Sequence, residues 1–137
     1  MFFRRMPSVL LGMLLFLMLT ACGDAKPTVT TFSDVFIHEE TGDVLGTELL
    51  VFDAGDGPVT GEIRFYEGSD CPSVRLSLSG TIEDSGVRLQ GPGGKFQLTG
   101  RISDGHFLGR LHGEQEVDLP LTEAPIDVAV SCGGESR

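Results

Sequence analysis

The sequence predicts an all-β fold: a single small antiparallel meander that closes as a β-barrel or packs as a β-sandwich. Three observations support this prediction. From Thr28 onward, apolar and polar residues alternate with a period of two, and no window sustains the 3.6-residue period of an amphipathic helix. Short turn-forming segments divide the alternating runs at regular intervals. The 137 residues include 19 glycines and no tryptophan, which favours many turns around a modest core.

The first half of the domain contains three predicted strands. Thr28 to His38 and Val44 to Asp53 are rich in β-branched and aromatic residues, and Ala54-Gly55-Asp56-Gly57 makes a tight turn after them. Pro58 to Glu67 follows as the third strand, with one dry face and one wet face. The dry face carries Val59, Ile63 and Phe65, and the wet face carries Thr60, Glu62, Arg64 and Tyr66.

A first hairpin is predicted in the second half of the domain. Its outgoing strand carries Val74, Leu76, Leu78 and Ile82 at alternate positions. The chain reverses at Glu83-Asp84-Ser85-Gly86 and returns through Val87 and Leu89. Because these turn residues tolerate tight backbone conformations, a hairpin is the expected structure.

A second hairpin follows the loop Gly91-Pro92-Gly93-Gly94. Phe96, Leu98 and Ile102 lead to the turn Ser103-Asp104-Gly105, and Phe107 and Leu111 run back.

Two further strands complete the prediction. Val117, Leu119 and Leu121 point inward on the first of them, where Pro120 marks an edge or a bulge, and Ile126 to Cys132 form the last strand.

A short motif with a central glycine recurs within these strands. We interpret each glycine as an inward position at which a strand bends, as it does when a meander closes into a barrel. The pattern is similar in outline to calycin-type and streptavidin-type small barrels, and this resemblance implies a fold only. With few aromatic residues, the interior is expected to be narrow and filled. The motif occurs at Val59 to Ile63, Leu78 to Ile82, Leu98 to Ile102 and, more loosely, Phe107 to Leu111.

The N-terminus has the outline of a secretion signal. Arg4 and Arg5 supply positive charge, and an apolar run from Val9 to Leu19 is interrupted only by Gly12. This run is too short to span a membrane comfortably, since a spanning helix needs about 20 predominantly apolar residues. Membrane attachment would therefore have to come from elsewhere in the chain.

Leu19, Thr20, Ala21 and Cys22 follow this run and resemble the lipobox of bacterial lipoproteins. The resemblance implies that the Cys22 thiol receives a diacylglyceryl group and that cleavage occurs between Ala21 and Cys22. It implies further acylation, such as palmitate, on the new amino group. Residues 1–21 are then the signal peptide, 22–27 a tether and 28–137 one all-β domain. In lipoproteins, an Asp directly after the lipidated cysteine resembles a signal for retention in the inner membrane. Gly23 occupies that position here, so location in the outer membrane is favoured in an organism that has one.

The expected mature chain is strongly acidic. Removal of residues 1–21 leaves 137 − 21 = 116 residues, enough for one domain. Eight Lys and Arg then remain against twenty Asp and Glu, so the formal charge is 8 − 20 = −12. This charge argues against nucleic acid or an anionic membrane surface as partner, and it favours a basic protein, a cation or simple solubility.

The two remaining cysteines, Cys71 and Cys132, are expected to form a disulfide, because an exported chain enters an oxidising compartment. Metal ligation is the alternative, but the spacing of a metal site is missing. A Cys71–Cys132 bond would make the loop around Cys71 rigid, and rigid loops on a β scaffold are common contact sites. The candidate contact residues are therefore Glu67, Ser69, Asp70 and Pro72.

The sequence suggests no catalytic residues, metal site or cofactor. His106 and His112 lie six residues apart on one strand, about 20 Å from end to end, which is too far for one metal ion. His38-Glu39-Glu40 lacks the second histidine of a zinc-protease helix. No nucleophile, base and orienting group can be assembled, so an enzyme is the least favoured class.

Three functions remain. We favour a non-catalytic envelope lipoprotein that is a binding or structural module. The second is an inhibitor of a basic, envelope-attacking enzyme, because a small lipidated β-barrel with a disulfide and an acidic surface resembles the membrane-bound lysozyme inhibitors. The third, less favoured, is a barrel that binds a small ligand.

Overall fold

The computed structural model describes residues 26–55 and 57–124. The predicted lipobox with Cys22, the signal peptide, the last strand at Ile126 to Cys132 and the second cysteine of the disulfide therefore lie outside the described residues. Within the described part, no helix is long and apolar enough to cross a membrane.

The described residues form nine strands connected by short loops. A single 3-10 turn at Pro92–Gly94 interrupts the series. The strands are Thr28–Ser33 (β1), Phe36–Ile37 (β2), Val44–Asp53 (β3), Val59–Glu67 (β4), Val74–Glu83 (β5), Gly86–Gln90 (β6), Gln97–Ser103 (β7), His106–His112 (β8) and Val117–Glu123 (β9).

The strands form an antiparallel meander that closes into an eight-stranded β-barrel. From β3 to β9, each strand pairs with the next in sequence. Strand β1 closes the ring because it pairs with β3 on one side and with β9 on the other. The two-residue strand β2 extends the edge of β3 beyond β1. The all-β meander is thus confirmed, and of the two predicted arrangements the structure has the barrel.

The barrel interior is filled by one continuous apolar cluster. The Phe32 and Phe107 rings lie near its middle, with centroids 6.1 Å apart. Burial of this cluster supplies the main driving force for folding, because each buried apolar side chain contributes about 1.5–3 kcal/mol. The cluster comprises Phe32, Leu49, Val51, Val59, Ile63, Leu78, Val87, Leu89, Leu98, Phe107, Leu111, Leu119 and Leu121.

The repeated glycines lie on the inward face, as predicted, and they allow close approaches that a side chain would block. Gly100 and Gly109 are partners across β7 and β8. A β-carbon at Gly109 would lie 2.4 Å from the Phe107 ring, and one at Gly80 would lie 2.0 Å from the Arg88 carbonyl oxygen. These contacts are shorter than van der Waals distance, so the barrel can close tightly here only around glycine.

The predicted strand from Thr28 to His38 is broken in the structure. It divides into β1 and β2 at Asp34 and Val35. The Asp34 carboxylate accepts a hydrogen bond from the Thr47 backbone N–H at 2.6 Å, and the Val35 N–H donates to the Ser33 hydroxyl. Side chains thus replace part of the backbone pairing. Composition predicted β structure here but could not predict these local bonds.

The meander places its loops alternately at the two ends of the barrel. The end that carries Lys26 and Pro27, which we call the N-terminal end, also carries the turns around residues 55, 84 and 104. Asp84, Ser85 and Asp104 have positive φ values there, as the predicted tight hairpins require. The opposite end, which we call the far end, carries the loops at residues 38–43, 68–73, 91–96 and 113–116.

Candidate functional site

The predicted contact loop, Glu67 to Pro72, lies at the far end and is held by several hydrogen bonds. The Gly68 N–H donates to the Val44 carbonyl at 2.8 Å. The Ser69 hydroxyl accepts from the Cys71 N–H and donates to the Cys71 carbonyl, at 3.1 and 3.0 Å. These bonds give the loop a defined shape on the end of the barrel.

The four predicted contact residues are on or near the surface of this loop. Glu67, Ser69 and Asp70 are exposed, and Pro72 is half-buried. Cys71 is the only cysteine among the described residues, and it is not a free thiol. Its predicted pairing with Cys132 lies outside the described residues and stays a prediction.

A second acidic loop, at residues 38–43, lies beside the contact loop. A β-carbon at Gly68 would be 3.9 Å from the Asp43 carboxylate, so the two loops are in contact range. The Thr41 hydroxyl donates to this carboxylate at 2.8 Å, and the His38 N–H donates to the Asp43 carbonyl. The far end therefore presents two ordered acidic loops side by side.

The far end carries far more negative than positive charge. Lys95 is the one lysine or arginine in its loops among the described residues. Glu39, Glu40, Glu67 and Glu114 form no ion pair within the described part of the chain. Carboxylates so placed are hydrated and accessible to a cationic partner. The acidic residues in or beside the loops are Glu39, Glu40, Asp43, Glu67, Asp70, Glu114 and Glu116.

The two histidines of β8 are engaged separately. His106 Nδ1 lies 3.3 Å from the Thr122 hydroxyl, whereas His112 Nδ1 lies 3.2 Å from the Glu116 carboxylate. Glu116 also pairs with Arg110. Residues 26–55 and 57–124 contain no group of three or more His, Cys, Asp or Glu that could hold a metal ion.

Sequence reasoning missed a polar cluster on the outer wall of the barrel, made by Glu48, Glu62, Arg64 and Tyr66. The Glu48 carboxylate accepts from Arg64 Nη1 at 3.3 Å and from the Tyr66 hydroxyl at 3.2 Å. Arg64 Nε donates to Glu62. Glu48 is only 6% exposed and Tyr66 only 5%. The predicted wet face of β4 is therefore wrong at Tyr66, which is buried.

Burial and charge shift the proton affinities in this cluster. Burial raises the pKa of Tyr66 above its usual value of 10.0, and the neighbouring Glu48 carboxylate raises it further. Burial lowers the pKa of Arg64, but its hydrogen bond to Glu62 and the charges of Glu62 and Glu48 outweigh this effect and raise the pKa overall. Glu48 thus has two donors that remain protonated at neutral pH.

The cluster is suited to structural stabilisation. The Glu48 carboxylate already accepts hydrogen bonds from two donors, so it is poorly placed to accept a proton from a substrate as a general base. The signal in the sequence was weak, because Glu48 lies in a run of β-prone residues and its partner Arg64 is sixteen positions away. Only the register of β3 against β4, which aligns these two residues, reveals the pair.

A shallow groove on the outer wall, about 900 Å³ in volume, crosses β5, β6 and β7. Thr81, Arg88 and Thr99 are neighbours across these strands and line it. Val87, which belongs to the core cluster, also lines the groove.

Comparisons of this chain with protein-family models, with curated proteins and with solved structures gave no match.

Proposed function

We propose that this chain is a lipid-anchored envelope protein whose barrel is a non-catalytic binding module for a basic partner. The strand topology supports this proposal. Thr28, where β1 begins, and the far-end acidic loops lie at opposite ends of the barrel. A barrel attached through its N-terminus would present those loops away from the membrane.

The anchor is the Cys22 thiol within Leu19-Thr20-Ala21-Cys22. Two or three acyl chains hold a protein stably on a bilayer, because each buried methylene contributes about 0.8 kcal/mol. Five residues separate Cys22 from Thr28, and the six steps between them span at most about 20 Å when the chain is extended. The N-terminal end of the barrel then lies close to the lipid head groups, on the periplasmic face of the outer membrane in a diderm organism.

The filled core supports a binding surface over a ligand cavity. Large side chains such as Phe32 and Phe107 occupy the barrel centre and are about 1% exposed or less. Small-ligand sites are typically cavities of about 300–1,000 Å³. A small-ligand barrel is accordingly the least favoured of the binding functions.

A disulfide between Cys71 and Cys132 completes the proposal. In the chain-entropy model it would stabilise the fold by roughly 4 kcal/mol, since it closes a loop of about sixty residues. It would also fix the contact loop at the far end. An oxidising envelope compartment is the environment in which such a bond forms and persists.

The second candidate is more specific: inhibition of a basic, envelope-attacking enzyme such as a lysozyme. The far-end carboxylates that form no ion pair within the described part of the chain favour this function, because they would gain cationic partners on binding the basic enzyme. Electrostatic complementarity of this kind raises association rates and gives strong salt dependence.

We expect binding of a basic lysozyme to depend on the far-end carboxylates. The test uses the full lipidated protein in vesicles of zwitterionic phospholipid, and it measures retention of lysozyme at low and high salt. The triple variant Glu39→Gln, Glu40→Gln and Glu67→Gln removes three charges worth roughly 0.5 kcal/mol each, which predicts about a tenfold loss of affinity. Addition of salt should weaken wild-type binding in the same direction.

The matched control removes three charges from the N-terminal end, by Glu83→Gln, Asp84→Asn and Asp104→Asn. Asn tolerates the positive φ of the last two positions, so the turns are preserved. This control should bind like wild type. Equal losses in the two triple variants, or binding that salt does not weaken, would argue against a far-end docking site. Measurement of lysozyme activity then separates inhibition from simple binding.

A further inference from the structure

Two apolar side chains are exposed side by side on the outer wall, near the N-terminal end of the barrel. Val29 in β1 and Phe52 in β3 are direct cross-strand partners, and they are 44% and 38% exposed. They point outward, because Val51, the sequence neighbour of Phe52, belongs to the core cluster. Among the described residues, no other two exposed large apolar side chains are partners in the sheet.

This pair, which we call the Val29–Phe52 patch, lies where the chain enters the barrel. Val29 is the second residue of β1 and Phe52 the last but one of β3. Each is thus one residue, about 3 Å, from the end of its strand. Val29 is 29 − 22 = 7 steps along the chain from Cys22, so their α-carbons are at most about 24 Å apart.

We propose that the Val29–Phe52 patch contacts the interface of the bilayer that holds the anchor, and that this bilayer surface is zwitterionic. The contact rests on the Cys22 anchor proposed above. Because the anchor keeps the barrel at the surface, the patch meets the bilayer at a high effective concentration. Transfer of its side chains from water into the interface is then favourable, even though the patch is too small to hold a protein on a membrane by itself.

The charges at the N-terminal end determine which lipid surface suits the patch. Four exposed carboxylates at this end form no ion pair among the described residues: Glu83, Asp84, Asp104 and Glu123. Anionic lipids would repel them. Lys26 is exposed three residues before Val29, and its ammonium group suits the phosphate of a lipid head group. A zwitterionic surface offers that phosphate without a net negative charge.

Tryptophan fluorescence tests the contact, because the chain has no tryptophan of its own. Phe52→Trp places one reporter in the patch. Phe36→Trp is the matched control, since Phe36 is 55% exposed in β2 beside the far end. Both lipidated variants are placed in zwitterionic vesicles with brominated acyl chains, which quench tryptophan at short range. We expect several-fold stronger quenching and a blue-shifted emission in Phe52→Trp only.

The same samples separate the contact from the anchor, through flotation with the vesicles and the mass of the N-terminal peptide. If the protein carries lipid and floats but the two tryptophans are quenched equally, the anchor stands and the contact is wrong. A blue shift in Phe52→Trp without quenching would mean that a second copy of the chain covers the patch, which sedimentation detects, and it would also overturn the contact. A chain without lipid would contradict the anchor and the contact together.

A second pair of variants applies if circular dichroism shows that Phe52→Trp does not fold. Val29→Trp and Ile37→Trp place the reporter at the neighbouring positions of the patch and of β2, and the same difference in quenching is expected.

Vesicles with added anionic lipid test the preference for a zwitterionic surface. The quenching of Phe52→Trp should fall in them, and adding Glu83→Gln, Asp84→Asn and Asp104→Asn to this variant should restore it, because the repulsion is reduced. Quenching that rises with the anionic lipid would contradict the zwitterionic surface.

Discussion

Gly80→Ala should destabilise the barrel by about 3 kcal/mol, at the upper end of the usual cost of overpacking. The added methyl group would lie 2.0 Å from the Arg88 carbonyl oxygen and 3.0 Å from the Leu89 α-carbon. Both are backbone atoms, so no side-chain rotation can relieve the contact. Strands β5 and β6 would have to separate where they pair. Urea unfolding monitored by circular dichroism measures the loss.

Gly57→Ala is the matched control, because a β-carbon there has no heavy atom within 4 Å. Its stability should equal that of wild type or slightly exceed it, since alanine reduces the entropy of the unfolded chain. An equal loss of stability in the two variants would mean that the close approach of β5 and β6 is not what requires Gly80.

Arg64→Met should cost about 2–3 kcal/mol, because it removes the cationic partner of a buried carboxylate. Of its two donors among the described residues, Glu48 would keep the Tyr66 hydroxyl, 3.2 Å away. The methionine retains most of the aliphatic volume of arginine, so the cost should be mainly electrostatic. Denaturant unfolding at neutral pH gives the change in free energy.

The double variant Glu48→Met with Arg64→Met separates charge from packing. Replacing both members of a buried ion pair by apolar residues is often neutral or stabilising, so the double variant should recover most of the lost stability. If the double variant is as unstable as Arg64→Met alone, the arginine stabilises the barrel through packing and not through its charge.

The strand pattern could be predicted from the sequence because the barrel core follows simple alternation. Val44–Asp53, read as a strand from its residues, is β3 with the same bounds. The inward glycines were predicted from their spacing as well, because their positions match the period of a strand. Closure as a barrel required the additional pairing of β1 with both β3 and β9, which alternation alone does not specify.

The polar cluster on the outer wall could not be predicted in the same way. Alternation in a half-buried sheet predicts one apolar face and one solvent-exposed face, and it places Tyr66 on the exposed face. Its burial depends on which strands are neighbours and on the partners that the Tyr66 hydroxyl finds across them. The Glu48–Arg64 contact likewise depends on cross-strand register, a long-range property that local composition does not contain.

The loops at the far end could be predicted from the sequence in part. Their acidic composition was visible in the sequence, but their common location was not. The meander places residues as distant in sequence as Glu39 and Glu114 at the same end of the barrel, because alternate loops of an up-and-down barrel share one end. The predicted contact loop at Glu67 to Pro72 is therefore part of a larger acidic surface.

The proposed function depends on attachment of this barrel to a membrane through Cys22. Mass spectrometry of the N-terminal peptide of the native protein tests it most directly. We expect a mature chain that begins at Cys22 and carries a diacylglyceryl thioether on its sulfur. A Cys22→Ser variant should lack this mass and leave the membrane fraction. A native chain that begins elsewhere and carries no lipid would show that Cys22 is not the membrane anchor.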